Sequence, residues 1–155
     1  MVREDSENRH PATAIVSRVE ESHQRIRNDL EALDKCDDVA EIRAIVDELP
    51  DLLKEHFRDE EKPGGLFDEL GSLRPVLVTQ LKSLRREHRE IMQALEGLRQ
   101  QFREADEVSQ DAELEPRYDH IRVSTTAFLE LIHHHERIES RLVADTFYSE
   151  NGGSG

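Results

Sequence analysis

Four stretches of the chain place hydrophobic residues at alternating intervals of three and four, the spacing of one face of an α-helix. These stripes cover residues 16–33, 42–60, 77–102 and 121–146, and polar links separate them. No stretch alternates with the period of two that is typical of a half-buried strand. The sequence therefore predicts an all-α protein, folded as an up-down-up-down antiparallel four-helix bundle.

Local signals mark the ends of the first two predicted helices. The first should stop within DKCDD at residues 34–38, and Asp37 or Asp38 is expected to cap the second. Pro50 lies inside the second stripe, where a proline removes one backbone hydrogen bond and should kink or split the helix. KPGG at residues 62–65 is expected to end it.

The remaining segments are expected to be connections and chain ends. Residues 65–75 and 104–116 should link the last three helices. The bundle is predicted to occupy residues 12–148, with flexible termini at residues 1–11 and 149–155.

Composition and charge narrow the classes of partner. The 155 residues carry 21 basic and 35 acidic side chains, a net charge of −14, which should repel nucleic acid and anionic lipid surfaces. Neither a run of about 18 apolar residues nor a signal peptide is found, so a cytoplasmic location without membrane insertion is expected. The single Cys36 cannot form an internal disulfide and is interpreted as a turn residue.

Each of the four stripes contains one histidine. The first two intervals between these histidines are nearly equal, so an antiparallel bundle should bring the first three to a similar depth. The longer third interval can be absorbed by overhanging ends of the third and fourth helices. The histidines are His23, His56, His88 and His135.

Two of the histidines have a glutamate one turn later on the same face, in HFRDE at residues 56–60 and HERIE at residues 135–139. Residues four apart are neighbours on a helix, so each pair can present a nitrogen and a carboxylate to one point in the core. Burying Glu60 and Glu139 as ions without compensation is costly, which favours a pair of metal ions between them. The competing interpretation is a set of ordinary core histidines and salt-bridged glutamates.

Neighbouring polar residues are weaker candidates. Glu61 and His134 are further candidate ligands, although both are expected on the flanks of their helices. His133 and Glu136 should face solvent. His10 lies in the N-terminal segment and His120 lies off the stripe of the fourth helix, so both are expected at the surface.

These motifs resemble those of the hemerythrin-like proteins with an HHE cation-binding domain, and the resemblance spans residues 12–148. It implies a non-haem di-iron centre in which two carboxylates, and an oxo or hydroxo group, bridge the irons. Members of that family bind dioxygen or act in sensing oxygen, nitric oxide or iron. The motifs that carry the resemblance are His23, HFRDEE at 56–61, EH at 87–88 and HERIE at 135–139.

The sequence departs from the oxygen-carrying hemerythrins in the third helix. Those proteins have a pair of histidines four residues apart there, whereas Leu84 and Met92 flank His88 at that spacing. One nitrogen ligand is therefore missing, which argues against reversible oxygen carriage more than against a metal site. In the last helix, the spacing to Glu139 fits His135 better than His134.

Ligand chemistry restricts the metal only partly. Imidazole and carboxylate without thiolate permit iron, manganese or zinc, and the resemblance favours two iron ions. The pocket around them should be apolar. Its expected lining residues are Phe57, Leu84, Ile91, Phe128 and Ile132.

Three functional classes follow from this site. The first is a di-iron protein that binds or senses dioxygen, nitric oxide or iron, with a small diatomic ligand and an unidentified redox partner. The second is an enzyme using the same centre, such as an oxidase, peroxidase or nitric oxide reductase, beside a ferritin-like role in iron handling. The third is an interaction bundle that is metal-free or held by zinc.

Overall fold

The computed structural model describes residues 11–108 and 111–148. The predicted flexible termini and His10 therefore lie outside the described residues, except for Pro11. That proline is the first residue of the first helix rather than part of a terminal segment.

The described chain forms four long helices and one short helix, without a strand. The predicted all-α bundle is confirmed: α1 packs on α2, α2 on α4, α4 on α5 and α5 on α1. A 3-10 turn at Pro75–Leu77 precedes α4, and a π-helical turn at Ala144–Tyr148 follows α5. The helices are α1 (Pro11–Asp34), α2 (Val39–Glu61), α3 (Leu66–Leu73), α4 (Val78–Asp106) and α5 (Asp111–Val143).

The ends of α2 follow the predicted signals. The Asp38 side chain caps the helix by accepting a hydrogen bond from the Ala40 backbone N–H at 3.0 Å. The helix ends at Glu61, just before Gly64, whose positive φ of 75° suits a glycine. Pro50 lies within α2, which runs through it without interruption, so of the two predicted outcomes, a kink or a split, the helix is not split.

Both predicted connections contain more helix than expected. Residues 65–75 include α3, which buries Leu66, Phe67 and Leu70 in the bundle. Apolar spacing across this segment supports a helix even though it is only eight residues long. The link predicted at residues 104–116 is shorter, because α4 continues to Asp106 and α5 begins at Asp111.

The apolar core is divided along the bundle axis into two clusters. One is built around Leu30, Leu49 and Leu95, and the other joins α3 to the facing parts of α1, α4 and α5. Six of the seven buried polar residues in the described part of the chain occupy the level between them. Among the described residues, no helix is long and apolar enough to cross a membrane.

Candidate metal centre

Six buried polar residues from four helices meet between the two apolar clusters. They are called the His–Glu cluster below. Each follows the stripe of its helix, so helical periodicity is what turns these side chains inward. Both glutamates are 0% exposed, and the histidines are at most 8% exposed. The cluster consists of His23 on α1, His56 and Glu60 on α2, His88 on α4, and His135 and Glu139 on α5.

The two carboxylates lie at the centre of the cluster. Glu60 Oε1 is 3.2 Å from His56 Nε2 and 3.3 Å from His88 Nε2. Glu139 reaches the other two histidines, with Oε1 2.9 Å from His23 Nε2 and Oε2 3.2 Å from His135 Nε2. Each carboxylate therefore contacts histidines of two different helices.

The cluster divides into two overlapping groups. In each group, one nitrogen or oxygen atom per residue lies within 4.8 Å of the others. One group contains His23 and His56, the other contains His88 and His135, and both groups include Glu60 and Glu139. The two groups are adjacent candidate cation positions that share two carboxylates.

Unsatisfied polar atoms fit the binding of cations. All four carboxylate oxygens of the cluster are buried without a partner in hydrogen-bonding geometry in the described part of the chain. The Nε2 atoms of His88 and His135 are also buried without a hydrogen-bond partner. Each such atom costs about 1–3 kcal/mol when it stays unpaired. A metal ion would satisfy several of them at once, and this donor set suits iron, manganese or zinc.

Burial and mutual repulsion give the two carboxyl groups opposite protonation behaviour. Burial raises the pKa of Glu60 well above its usual range, and the charge of Glu139 raises it further. Burial also opposes ionisation of Glu139. The nearby Glu60 carboxyl group and the rings of His135 and His23 outweigh this effect of burial, so the pKa of Glu139 is well below its usual range. Without a cation, Glu60 therefore holds a proton more strongly than Glu139 does.

The histidines differ in their tendency to take up protons. Burial, reinforced by neighbouring imidazoles, lowers the pKa of His56 to about 4 and that of His88 to about 3. Burial also disfavours charge on His135, but contacts with Glu139 and Glu87 raise its pKa overall. His56 and His88 are thus neutral near pH 7, as metal ligation requires.

Aromatic side chains pack against His88. Phe57 stacks on its ring at a centroid distance of 3.8 Å, and Phe67 of α3 lies at 5.3 Å. Phe57 was expected to line the site, and the other four expected lining residues are also buried. Phe67 was missed because its segment was interpreted as a connection, although Leu66, Phe67 and Leu70 already have helical spacing.

Two glutamates contact the outer ring nitrogens of the cluster. Glu87 Oε1 lies 3.2 Å from His135 Nδ1, in hydrogen-bonding geometry. Glu61 Oε2 lies 3.5 Å from His88 Nδ1, and Glu61 itself is half-buried and outside both groups. The sequence analysis includes Glu87 only as part of the EH motif. Its position next to His88 is the one sequence feature that places it near the candidate ligands.

The remaining candidates lie outside the cluster. His134 is exposed, so the structure does not bring this candidate ligand to the carboxylates. The His133 side chain is 42% exposed and His120 is exposed, as expected. The prediction that Glu136 faces solvent is wrong: its side chain is only 13% exposed, and burial raises its pKa. It is sufficiently close to α1 for the charges of His23 and Arg27 to act on it.

Cavities reach the cluster from the surface. One of about 440 Å³ lies between α1 and the end of α5, where His23, Arg27 and Tyr148 help to line it. Another of about 630 Å³ lies beside His88 and Phe57. His23 is the most exposed histidine of the cluster, at 8% against 2% for the others.

Comparison with known protein families identifies the chain's relatives by sequence. The family model of the hemerythrin HHE cation binding domain matches residues 14–146. No curated protein and no solved structure matches the chain.

Proposed function

The chain belongs to the hemerythrin HHE cation-binding domain family, and we propose that it is a non-haem di-iron protein that binds or senses dioxygen, nitric oxide or iron. The observation that carries the proposal is the pair of overlapping ligand groups that share Glu60 and Glu139. Cation binding is the property that the family and the buried ligands have in common.

The number of ligands supports two ions rather than one. Four imidazoles and two carboxylates exceed the four ligands of a tetrahedral site. They also form two groups instead of a single one. With both carboxylates shared, each ion would have two histidines of its own: His23 and His56 for one, His88 and His135 for the other.

Iron fits the donor set and the family. Imidazole and carboxylate oxygen bind iron. The six residues of the His–Glu cluster include no thiolate that would favour a softer metal. When bound, an iron pair supplies a redox-active centre with affinity for small diatomic molecules. Zinc or manganese would satisfy the same ligands without that combination of properties.

The protein would restrict which molecules reach such a centre. Buried aromatic rings of Phe57 and Phe67 pack against His88 and limit its contact with water. Cavities of about 630 Å³ beside His88 and Phe57 and of about 440 Å³ beside His23 give small ligands routes toward the two positions. This combination of an apolar surrounding and side openings suits binding or sensing of a small neutral molecule.

Substitution of the shared carboxylates tests the proposal. Glu60→Gln and Glu139→Gln keep the side-chain size but remove the charge that balances the metals. Both variants should fall well below two irons per chain after reconstitution, while far-ultraviolet circular dichroism stays unchanged. Glu55→Gln and Glu130→Gln are matched controls, because both residues are exposed on the same two helices. Undiminished iron in the first pair of variants would overturn the shared role of Glu60 and Glu139.

A further inference from the structure

Glu87 contacts the His–Glu cluster from outside. It comes from α4, immediately before His88, but its carboxylate turns to α5 and lies 3.2 Å from Nδ1 of His135. The Glu87 side chain is 17% exposed and the His135 side chain is 2% exposed. A glutamate that is mostly withdrawn from water and directed at a buried ring is better explained by this contact than by solubility.

The contact determines which nitrogen of His135 faces the cluster. An ionised carboxylate can only accept a hydrogen bond, so Nδ1 of His135 must donate it and carry the proton. Nε2, which lies 3.2 Å from Glu139 Oε2, is then the nitrogen available to a cation. Such an outer carboxylate fixes the ring orientation and increases the basicity of the ligating nitrogen.

The same support is missing on the other side of the cluster. Among the described residues, only Glu60 and Glu139 place a carboxylate oxygen within 4.0 Å of a ring nitrogen of His23 or His56. His56 Nδ1 is buried without a partner. The second outer carboxylate, Glu61, lies 3.5 Å from Nδ1 of His88 but not in hydrogen-bonding geometry, so the Glu87 contact alone distinguishes the two groups.

We propose that Glu87 is a positioning residue that fixes the Nε2 of His135 toward the centre and makes the His88–His135 position the tighter of two unequal metal positions. The tautomer follows from the hydrogen bond itself. The unequal affinities rest on the proposed function, because they require that both positions bind metal.

Zinc binding measured by competition with a chromophoric chelator tests the unequal affinities. Glu87→Leu removes the acceptor at similar volume and should weaken the tighter of two zinc sites by about 10- to 100-fold. Glu87→Gln keeps an acceptor oxygen and should restore most of that loss. Glu90→Leu is the control, because Glu90 is exposed on the same helix and pairs with Arg86 instead.

Nuclear magnetic resonance of the histidine nitrogens in the zinc-loaded, wild-type protein provides a second readout that needs no variant. His135 should carry its proton on Nδ1 and bind zinc through Nε2. A proton on Nε2 would overturn the positioning role, as would equal zinc affinity of Glu87→Leu and wild type. Uptake of fewer than two zinc ions by the wild type would instead refute the pair of metal positions, and with it the unequal affinities, while the tautomer is still decided by the resonance data.

Discussion

Two glutamates with no exposed surface are costly residues for a helical core. An ion moved out of water loses several kcal/mol of solvation unless it is paired. Neither Glu60 nor Glu139 contacts a lysine or arginine within 4.0 Å among the described residues; both contact histidines. His56 and His88 have lowered pKa values and stay neutral near pH 7, so only the raised pKa values of Glu60 and His135 offset the burial of charge in the metal-free cluster. A metal would supply positive charge to both carboxylates.

Single histidine substitutions should distinguish metal ligands from histidines that only lie near the cluster. His88→Ala is expected to weaken metal binding by at least about 10-fold, because it deletes a buried nitrogen that faces both carboxylates. His133→Ala and His134→Ala should retain the metal content of the wild type. Metal analysis after gel filtration measures the difference. Equal retention in all three variants would show that burial at this level does not identify the ligands.

Protonation of the metal-free protein provides a further test at this scale. The lowered pKa values of His56 and His88 mean that the unfolded chain takes up their protons first. Their contribution to folding stability is therefore complete above about pH 6.5 and decreases as the pH falls toward 4. The raised pKa of Glu60 has the opposite effect, because it lowers folding stability as the pH rises. The pH dependence of global stability is therefore the sum of the two effects.

Individual histidine titrations by nuclear magnetic resonance avoid that mixing. In the metal-free protein, His56 and His88 should remain neutral down to about pH 5. Protonation of either ring between about pH 5.5 and pH 7 would contradict the environment described for the cluster.

The stripes predicted which residues meet in the core, but not the contacts around them. One histidine per stripe and two glutamates four residues further were sufficient to select all six members of the cluster. Glu87 lies off the stripe, and its partner His135 is on another helix, so no local spacing reveals the pair. Glu136 was misplaced for a similar reason: its burial depends on how closely α1 approaches α5.

At the element scale, the corner between α2 and α3 packs closely against the backbone around Glu60. A side chain added at Gly65 would place its Cβ 2.4 Å from the carbonyl oxygen of Asp59 and 2.8 Å from that of Lys62. Glu60 lies between those two residues. The absence of a side chain at Gly65 therefore allows α3 to fold back beside the cluster and bring Phe67 against His88.

Alanine substitutions at two glycines test this corner. Gly65→Ala should lower the free energy of unfolding by about 1–3 kcal/mol, since the backbone must move to relieve the overlap. Gly97→Ala is the control: it lies in α4 with nothing near the added Cβ and should stabilise the protein by about 0.5–1 kcal/mol. Urea denaturation measures both. A neutral Gly65→Ala would show that the corner can relax without cost.

Sequence patterns predicted the long helices better than the short one. The cap at Asp38 and the end of α2 at Glu61 follow from local chemistry that acts within a few residues. The helix α3 has only eight residues, too few to be stable alone, and it forms because Leu66, Phe67 and Leu70 are buried by the bundle. Continuity through Pro50 similarly depends on packing on both sides of the proline rather than on propensity.

At the scale of the whole molecule, the bundle holds a polar layer between two apolar clusters. Four helices each contribute one histidine to that layer, so the ligands of the candidate centre come together only when the four helices pack correctly. Bound metal should consequently stabilise the fold by mass action. This connection explains how a core with two buried glutamates remains compatible with a single packed bundle.

Metal stoichiometry tests the central claim most directly. Protein purified from iron-supplemented cells, or reconstituted with iron without oxygen, should contain two iron ions per chain by elemental analysis and quantitative amino-acid analysis. We expect that number because the buried ligands form two overlapping groups. One iron or fewer per chain after complete reconstitution would contradict the account, because a single ion cannot use both groups.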